Sequence, residues 1–221
     1  MFSRCREATT APLLVLALLT GSALAGCGLG ERPTLVETPT AVGLMTGDPA
    51  IDQVLAKLDA VSSAVFTAEY TALLAYGTVA SSVAVAQDGQ DPTTRRRSVT
   101  IGDVRYLMTA TGNSTCSVES GSCTDAIDPA RVSDTGVTPD LVFGDMAKRL
   151  RRDAVARIGT PTSSTRDIVG SSATCVDIPV SGGTKQYCAF DDGVLARFVG
   201  GDVTIDATRY ERTVDESLFQ V

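Results

Sequence analysis

The sequence predicts an α+β fold in which a curved antiparallel sheet is backed by helices. Three observations lead to it. Two stretches repeat apolar residues at helical spacing, the segments beside them alternate apolar and polar residues, and Asp-Gly or Gly-Gly pairs punctuate the alternating runs. A stripe of apolar residues along each helix and one apolar face along each strand need each other for burial, which places the core between helices and sheet.

The first helix is expected to open at Asp48-Pro49, an N-cap candidate followed by proline, whose missing N–H is harmless in the first turn. Ile51, Val54, Leu55, Leu58 and Val61 then fall on one side, and Asp52, Gln53, Lys57 and Asp59 fall elsewhere. After Ser63 the period changes to two. Over 65–76, Phe66, Ala68, Tyr70, Ala72, Leu74 and Tyr76 share a face, opposite Thr67, Glu69 and Thr71. A second strand over 79–87 ends at Asp88-Gly89, a hairpin signal, and 95–101 returns. Gly102-Asp103 turns the chain into a run bearing Val104, Tyr106, Met108 and Ala110, so the first half reads as a meander. Asn113-Ser114-Thr115 matches a glycosylation triplet and is read as turn residues.

A second helix is expected over 139–158, behind Thr138 and ahead of Gly159-Thr160-Pro161. Leu141, Val142, Met146, Leu150, Ala154, Val155 and Ile158 mark its stripe, and Gly144 weakens its first turns. Strands resume with Val176, Ile178 and Val180, then Tyr187 and Phe190, then Val194, Ala196 and Phe198, then Val203, Ile205 and Ala207. Gly182-Gly183, Asp192-Gly193 and Gly200-Gly201 separate them.

The N-terminus reads differently. Arg4 and Arg6 precede an apolar run over 13–19, and Gly21, Ser22, Ala23 and Ala25 lead to a cysteine, the layout of an export signal. The run is far shorter than the roughly 18 residues a membrane-spanning helix needs. Leu24-Ala25-Gly26-Cys27 resembles the lipobox read by lipoprotein signal peptidase. That resemblance implies removal of 1–26 and a diacylglycerol on Cys27, usually with a third acyl chain, enough for stable anchoring to the outer face of a cell membrane. Residues 27–47, with Pro33, Pro39 and several glycines and threonines, read as a flexible tether, and 48–221 as one domain. The full chain carries 19 basic and 26 acidic residues, a net charge of -7. Removing Arg4, Arg6 and Glu7 leaves 17 and 25, and so acidic a surface disfavours nucleic acid as a partner.

Beyond Cys27 stand Cys116, Cys123, Cys175 and Cys188, an even number that favours disulfides in an exported chain. Of the three possible pairings, Cys116 with Cys123 and Cys175 with Cys188 bracket turns symmetrically, as facing positions of hairpins would. Loops this short contribute roughly 2 to 3 kcal/mol each on the chain-entropy model. Zinc ligation is disfavoured by the cysteine spacing and by the absence of histidine, so no metal or cofactor is expected.

Without histidine the commonest general base and the serine triad are gone as well. The visible carboxylates read as turn chemistry at Asp191-Asp192, as an outer strand face at Asp202 and Asp206, and as terminal residues at Asp215-Glu216, so catalysis is not expected. Two basic clusters stand out, Arg95-Arg96-Arg97 and, on the second helix, Lys148-Arg149 with Arg151-Arg152. They read as solvated faces balancing nearby aspartates, or as a rim touching anionic lipid headgroups.

The lipobox, the short opening helix, the strand Phe66-Thr67-Ala68-Glu69-Tyr70 and the closing pattern from Gly193-Val194-Leu195 through Asp215-Glu216-Ser217-Leu218-Phe219 resemble the LolA-like lipoprotein carriers and the mycobacterial lipid-transport lipoproteins, over most of 48–221. The resemblance points to an actinobacterial lipoprotein and implies an unclosed half-barrel wrapped around helices. It further implies a membrane-tethered domain that binds or carries a lipid or other apolar ligand without catalysis, its cavity lined by Phe66, Tyr70, Leu74, Tyr106 and Met108. Low aromatic content, 5% with no tryptophan, argues against a large aromatic cavity. The alternative is a structural or sensory interaction module of the envelope with a solid core and an unknown protein partner. Lipidation is tested directly: radiolabelled palmitate is expected to enter the protein, and Cys27→Ser is expected to abolish both labelling and membrane retention.

Overall fold

A computed structural model describes residues 45–75 and 80–220. The lipobox residues Leu24, Ala25, Gly26 and Cys27, the signal segment, most of the tether and Tyr76 lie outside them. Among the described residues no helix is long and apolar enough to cross a membrane.

Helix α1, Pro49–Ala60, starts as its sequence dictates. The Asp48 carboxylate accepts from the Ala50 N–H at 3.0 Å and from the Ile51 N–H at 3.4 Å, satisfying donors that the first turn leaves open. Ile51, Val54, Leu55 and Leu58 are buried along one side, and Val61 extends the stripe into a 3-10 turn, Val61–Ser63.

Strands β1 (Phe66–Leu74), β2 (Ser81–Asp88), β3 (Arg96–Ile101), β4 (Val104–Thr109), β5 (Gly112–Ser117) and β6 (Cys123–Asp125) form the first meander. Helices α2 (Pro129–Thr135) and α3 (Gly144–Val155) follow, then β7 (Thr162–Ile168), β8 (Ser171–Val180), β9 (Gly183–Phe190), β10 (Leu195–Val199) and β11 (Val203–Glu211). The eleven strands make one antiparallel sheet in the order β6-β5-β4-β3-β2-β1-β11-β10-β9-β8-β7, curved and not closed into a barrel. Its seam is β1 against β11, where Tyr70 faces Ala207 and Leu74 faces Val203.

Register carries one apolar face across the sheet. Phe66, Ala68, Tyr70 and Ala72 of β1 continue into Val83 and Val85, Val99 and Ile101, and Tyr106 on one side, and into Ile205, Phe198, Tyr187 and Val176 on the other. These side chains are buried in a single cluster with α1 and with Met146, Ala147, Leu150 and Ala154 of α3. Phe66 of β1 and Phe143, just before α3, meet with ring centroids 6.2 Å apart and join helix side to sheet, and Tyr187 and Phe198 meet at 4.8 Å across β9 and β10.

The opposite face is polar, and the C-terminal segment covers part of it. Thr67, Ser98 and Arg105 point there yet are buried. Thr67 accepts the Asp215 N–H at 2.8 Å, Ser98 donates to the Leu218 carbonyl, and Arg105 donates to the carbonyls of Ser217 and Gln220. Arg96 pairs with Glu216 at 3.0 Å and lies over the Phe219 ring at 4.6 Å.

Several elements depart from the sequence reading. The second helix begins at Gly144, five residues later than expected, because 139–143 coil into turns in which the Leu141 N–H bonds Thr138 and the Phe143 N–H bonds Asp140. It ends at Val155, so Val155 and Ile158 are not core: they are 89% and 73% exposed, the chain having left the helix to bond Ile158 N–H to the Pro179 carbonyl at 2.9 Å. Asp88-Gly89 opens a longer connection rather than a tight turn, since β2 and β3 last pair at Asp88 and Arg96. Asn113-Ser114-Thr115 lies within β5, not in a turn. Strands β5, β6 and β7 and helix α2 have no counterpart in the expected layout. The β7 residues are exposed up to Ile168 on both faces and so carry no apolar alternation. Helix α2 was marked only by its Asp128-Pro129 start and by Gly136, left-handed at φ 65, which ends it.

The Asp192-Gly193 turn packs directly against the backbone at the end of α1. Gly193 has φ +88, and a Cβ there would lie 2.1 Å from the Lys57 carbonyl oxygen and 2.8 Å from the Val61 nitrogen. Both the left-handed backbone and the backbone contact exclude a side chain. Gly193→Ala is expected to lose about 3 kcal/mol in urea unfolding, whereas Gly201→Ala, with nothing within 4 Å of its Cβ position, should leave the midpoint nearly unchanged.

Candidate functional site

The five residues expected to line a cavity belong to one apolar cluster but do not line a cavity together. Phe66, Tyr70 and Tyr106 are sealed in the core, at 0%, 1% and 0% exposure. The Tyr70 hydroxyl donates to the Leu195 carbonyl at 2.9 Å, and burial, with the charge of Asp192, pushes its ionisation far above the ordinary phenol range. Met108 borders a small depression of about 170 Å³ beside Arg95 and Arg97. Leu74 alone of the five reaches a sizeable cavity.

That cavity, about 640 Å³, lies at one end of the β1–β11 seam. Leu74 closes β1, Asp202 and Val203 open β11, and the link between α2 and α3 contributes Gly136, Val137, Thr138 and Leu141. Helix α3 supplies Asp145, Lys148, Arg149 and Arg152, spaced at i, i+3, i+4 and i+7 and therefore one stripe of the helix. The stripe faces the cavity because Met146, Ala147, Leu150 and Ala154 hold the rest of α3 to the core. Gly136 permits a close approach, since a Cβ there would meet the Leu74 Cδ1 at 2.8 Å. The product is an apolar floor of Leu74, Val137, Leu141 and Val203 under a charged rim.

Two ion pairs order the rim, Arg149 with Asp202 at 2.7 Å and Lys148 with Asp145 at 3.3 Å. Partial burial pushes the Asp202 carboxyl upward, but the hydrogen bond and charge of Arg149 outweigh it and hold the group below its ordinary value. Arg149 also lies 5.6 Å from the Phe198 ring centre. Arg152 makes no ion pair among the described residues, whereas its neighbour Arg151 bonds Asp59 on α1. Behind the rim, buried Asp153 accepts from Lys185 at 2.8 Å and from the Tyr187 hydroxyl, fastening α3 to β9.

The other carboxylates named from sequence are engaged in structural contacts. Asp191 pairs with Lys57 at 2.6 Å, Asp206 with Arg197 at 3.3 Å and Glu216 with Arg96, while Asp192 accepts from the Tyr210 hydroxyl. Among the described residues no group of three or more Cys, Asp or Glu could hold a metal ion. The first basic cluster is likewise occupied: Arg96 also pairs with Asp88, and Arg97 stacks on Phe143 at 4.4 Å while donating to Gln87. Cys116 is bonded to Cys123 across β5 and β6, and Cys175 to Cys188 across β8 and β9, each pair with Cα atoms 4.0 Å apart. Of the cavity residues, Gly136, Val137 and Asp145 carry no motif that singles them out in the sequence, whereas the basic run Lys148-Arg149 and Arg151-Arg152 is visible there.

No family model matches the chain, and no curated protein matches it in sequence. Its backbone is similar to a chain of the Pseudomonas aeruginosa MucA/MucB complex, with TM-score 0.51 and 10% identity over 78% of this chain and 60% of that one. It is similar to MucB solved alone, with TM-score 0.50 and 8% identity over 79% of this chain and 64% of that one. The chain thus spans less than two thirds of either, and identities this low speak to the fold alone. A putative outer membrane lipoprotein-sorting domain from Vibrio parahaemolyticus matches at TM-score 0.34 and 5% identity over 72% and 90% of the two chains, too weakly to carry an argument.

The Arg149–Asp202 pair sets a pH signature. Because the folded carboxyl titrates below its ordinary value of 3.8, the pair stabilises the fold fully above that value and loses its contribution as pH falls through the folded one. Arg149→Gln is expected to lower the unfolding midpoint at neutral pH, by well under 1 kcal/mol given the exposure of the pair, and the difference from the parent should vanish only in acid below 3.8.

Proposed function

We propose that this domain binds an amphiphilic lipid without catalysis, in the cavity between the end of the β1–β11 seam and α3, while Cys27 tethers it to the outer face of a membrane. The observation that carries this reading is the layout of the cavity: apolar side chains below, cations at the mouth, and a volume of about 640 Å³ within the range of small-ligand sites. Apolar contact with Leu74, Val137, Leu141 and Val203 favours an acyl chain by about 0.8 kcal/mol per methylene buried. Sequestration needs no proton transfer, and the absence of histidine together with the pairing of the acids supports binding over turnover.

A second reading is a protein-binding module. It is favoured by β7, an exposed strand at the sheet edge whose open backbone groups suit addition of a further strand. The backbone likeness to MucB, solved in complex with MucA, points the same way.

Organic extraction of the purified full chain, followed by mass spectrometry, is expected to release a non-covalent lipid near one per chain. Val137→Asp, which places a carboxylate in the cavity floor, should cut that yield at least tenfold with the near-ultraviolet circular dichroism retained, and Val169→Asp at an exposed hairpin tip should not. A parent protein that repeatedly yields no lipid, and takes none up, defeats the reading and leaves the protein-binding module standing.

A further inference from the structure

The mouth of the cavity holds one more cation than its own acids neutralise. Asp145 takes Lys148, Asp202 takes Arg149, and Asp153, buried beside the rim, takes Lys185 and the Tyr187 hydroxyl. Arg157, one turn beyond, turns back to donate to the Ala154 carbonyl at 2.6 Å. Arg152 is left over: it is exposed, it lines the cavity, and it makes no ion pair among the described residues. Its neighbour Arg151 has a structural task in joining α3 to α1, so the basic run is not one uniform solvated face.

This local excess stands on a chain whose net charge is -7, which repels anions in general. Only a site with concentrated, correctly placed cations overcomes that background. A guanidinium suits a phosphodiester because its planar fork offers two parallel N–H donors. Lys148 and Arg149 lie within the same stripe, one turn before Arg152, so an anion seated on Arg152 adds to an existing alternation of charge instead of displacing a pair.

We propose, resting on the lipid-binding reading above, that the cavity selects a phospholipid with an anionic headgroup. The Arg152 guanidinium grips the phosphodiester, its unpaired charge disfavours a headgroup that adds a cation such as choline, Lys148 and Arg149 flank it, and the acyl region lies on Leu74, Val137 and Leu141. Arg152 is thus the specificity-determining residue, and the apolar floor supplies affinity common to all lipids of the same chain length. Because Arg152 is exposed, the selectivity fades as salt screens it.

The test presents the full chain with photoactivatable phosphatidylglycerol or phosphatidylcholine of identical acyl chains and maps the labelled peptides by mass spectrometry. Phosphatidylglycerol is expected to label the peptides bearing Leu74, Val137 or Leu141 at least tenfold more than phosphatidylcholine. Arg152→Gln should lower phosphatidylglycerol labelling far more than phosphatidylcholine labelling and so shrink the difference between them at least threefold, and Arg152→Lys should restore part of the difference. Equal labelling by both lipids in the parent protein overturns headgroup selection while leaving lipid binding intact. Labelling of the cavity by neither lipid defeats both. Loss of the phosphatidylglycerol label on adding inorganic phosphate, at ionic strength matched with chloride, would show a site for free phosphate and overturn the lipid assignment.

Discussion

The pairing of β1 with β11 is the contact on which the rest of the architecture depends. Each half of the chain can form its own meander from local hairpins, but neither half has a complete core: β1 to β4 offer an apolar face, and β8 to β11 offer its continuation. Only the seam aligns the two faces, so that Tyr70 sits beside Ala207, Ala72 beside Ile205 and Leu74 beside Val203. The helices then have one surface to cover. Slipping this register by one residue would send Phe66, Tyr70 and Ile205 to the polar side; one irregularity, between Glu69 and Tyr70, leaves Thr208 without a partner on β1. The cavity is a by-product of the same seam, since it lies where β1 ends, β11 begins and α3 does not reach far enough to close the gap.

How much of this was legible in the sequence follows from how burial writes itself into residue types. Helix α1 and the strands β1 to β4 and β8 to β11 each set an apolar face against the core, and over most of their length such elements announce themselves by period. Strand β7 does not, because a strand exposed on both faces up to Ile168 has no reason to alternate, and its backbone ladder to β8 is invisible to side-chain pattern. Ile158 misled for the converse reason: it sits at helical spacing from Ala154, yet spacing says nothing about where a helix stops, whereas Val155, five residues after Leu150, falls off the buried stripe of α3. The expected cavity residues share the difficulty. Phe66, Tyr70 and Tyr106 do point inward, but whether an inward ring meets a void or another side chain is decided by α1, Phe143 and the rest of the packing, which no single strand records. The basic run on α3 was visible, whereas its division into Arg151, tied to Asp59, and Arg152, facing the cavity, required the helix to be placed.

Aliphatic and charged groups do separate work at the candidate site. The filled core gives stiffness, with α3 fastened at Asp153 by Lys185 and Tyr187 and at Arg151 by Asp59. A removal of one partner from so buried an arrangement is destabilising because the remaining charge loses its compensation. The cavity is therefore framed by anchored elements on the α3 side and by the ends of two central strands on the other, a setting in which a bound chain meets a preformed surface.

The two disulfides close loops of sequence separation 7 and 13 within the hairpins β5–β6 and β8–β9, neither of which contains a seam strand. Each therefore oxidises within its own hairpin, independently of the other half. A chain made from its N-terminus completes β1 well before β11, so the central strand waits with an open edge until the second meander has been delivered. Covalent closure of the outlying hairpins shortens the list of wrong partners available to that edge in the interval, giving the cross-links a role in assembly order distinct from their weight in the finished fold.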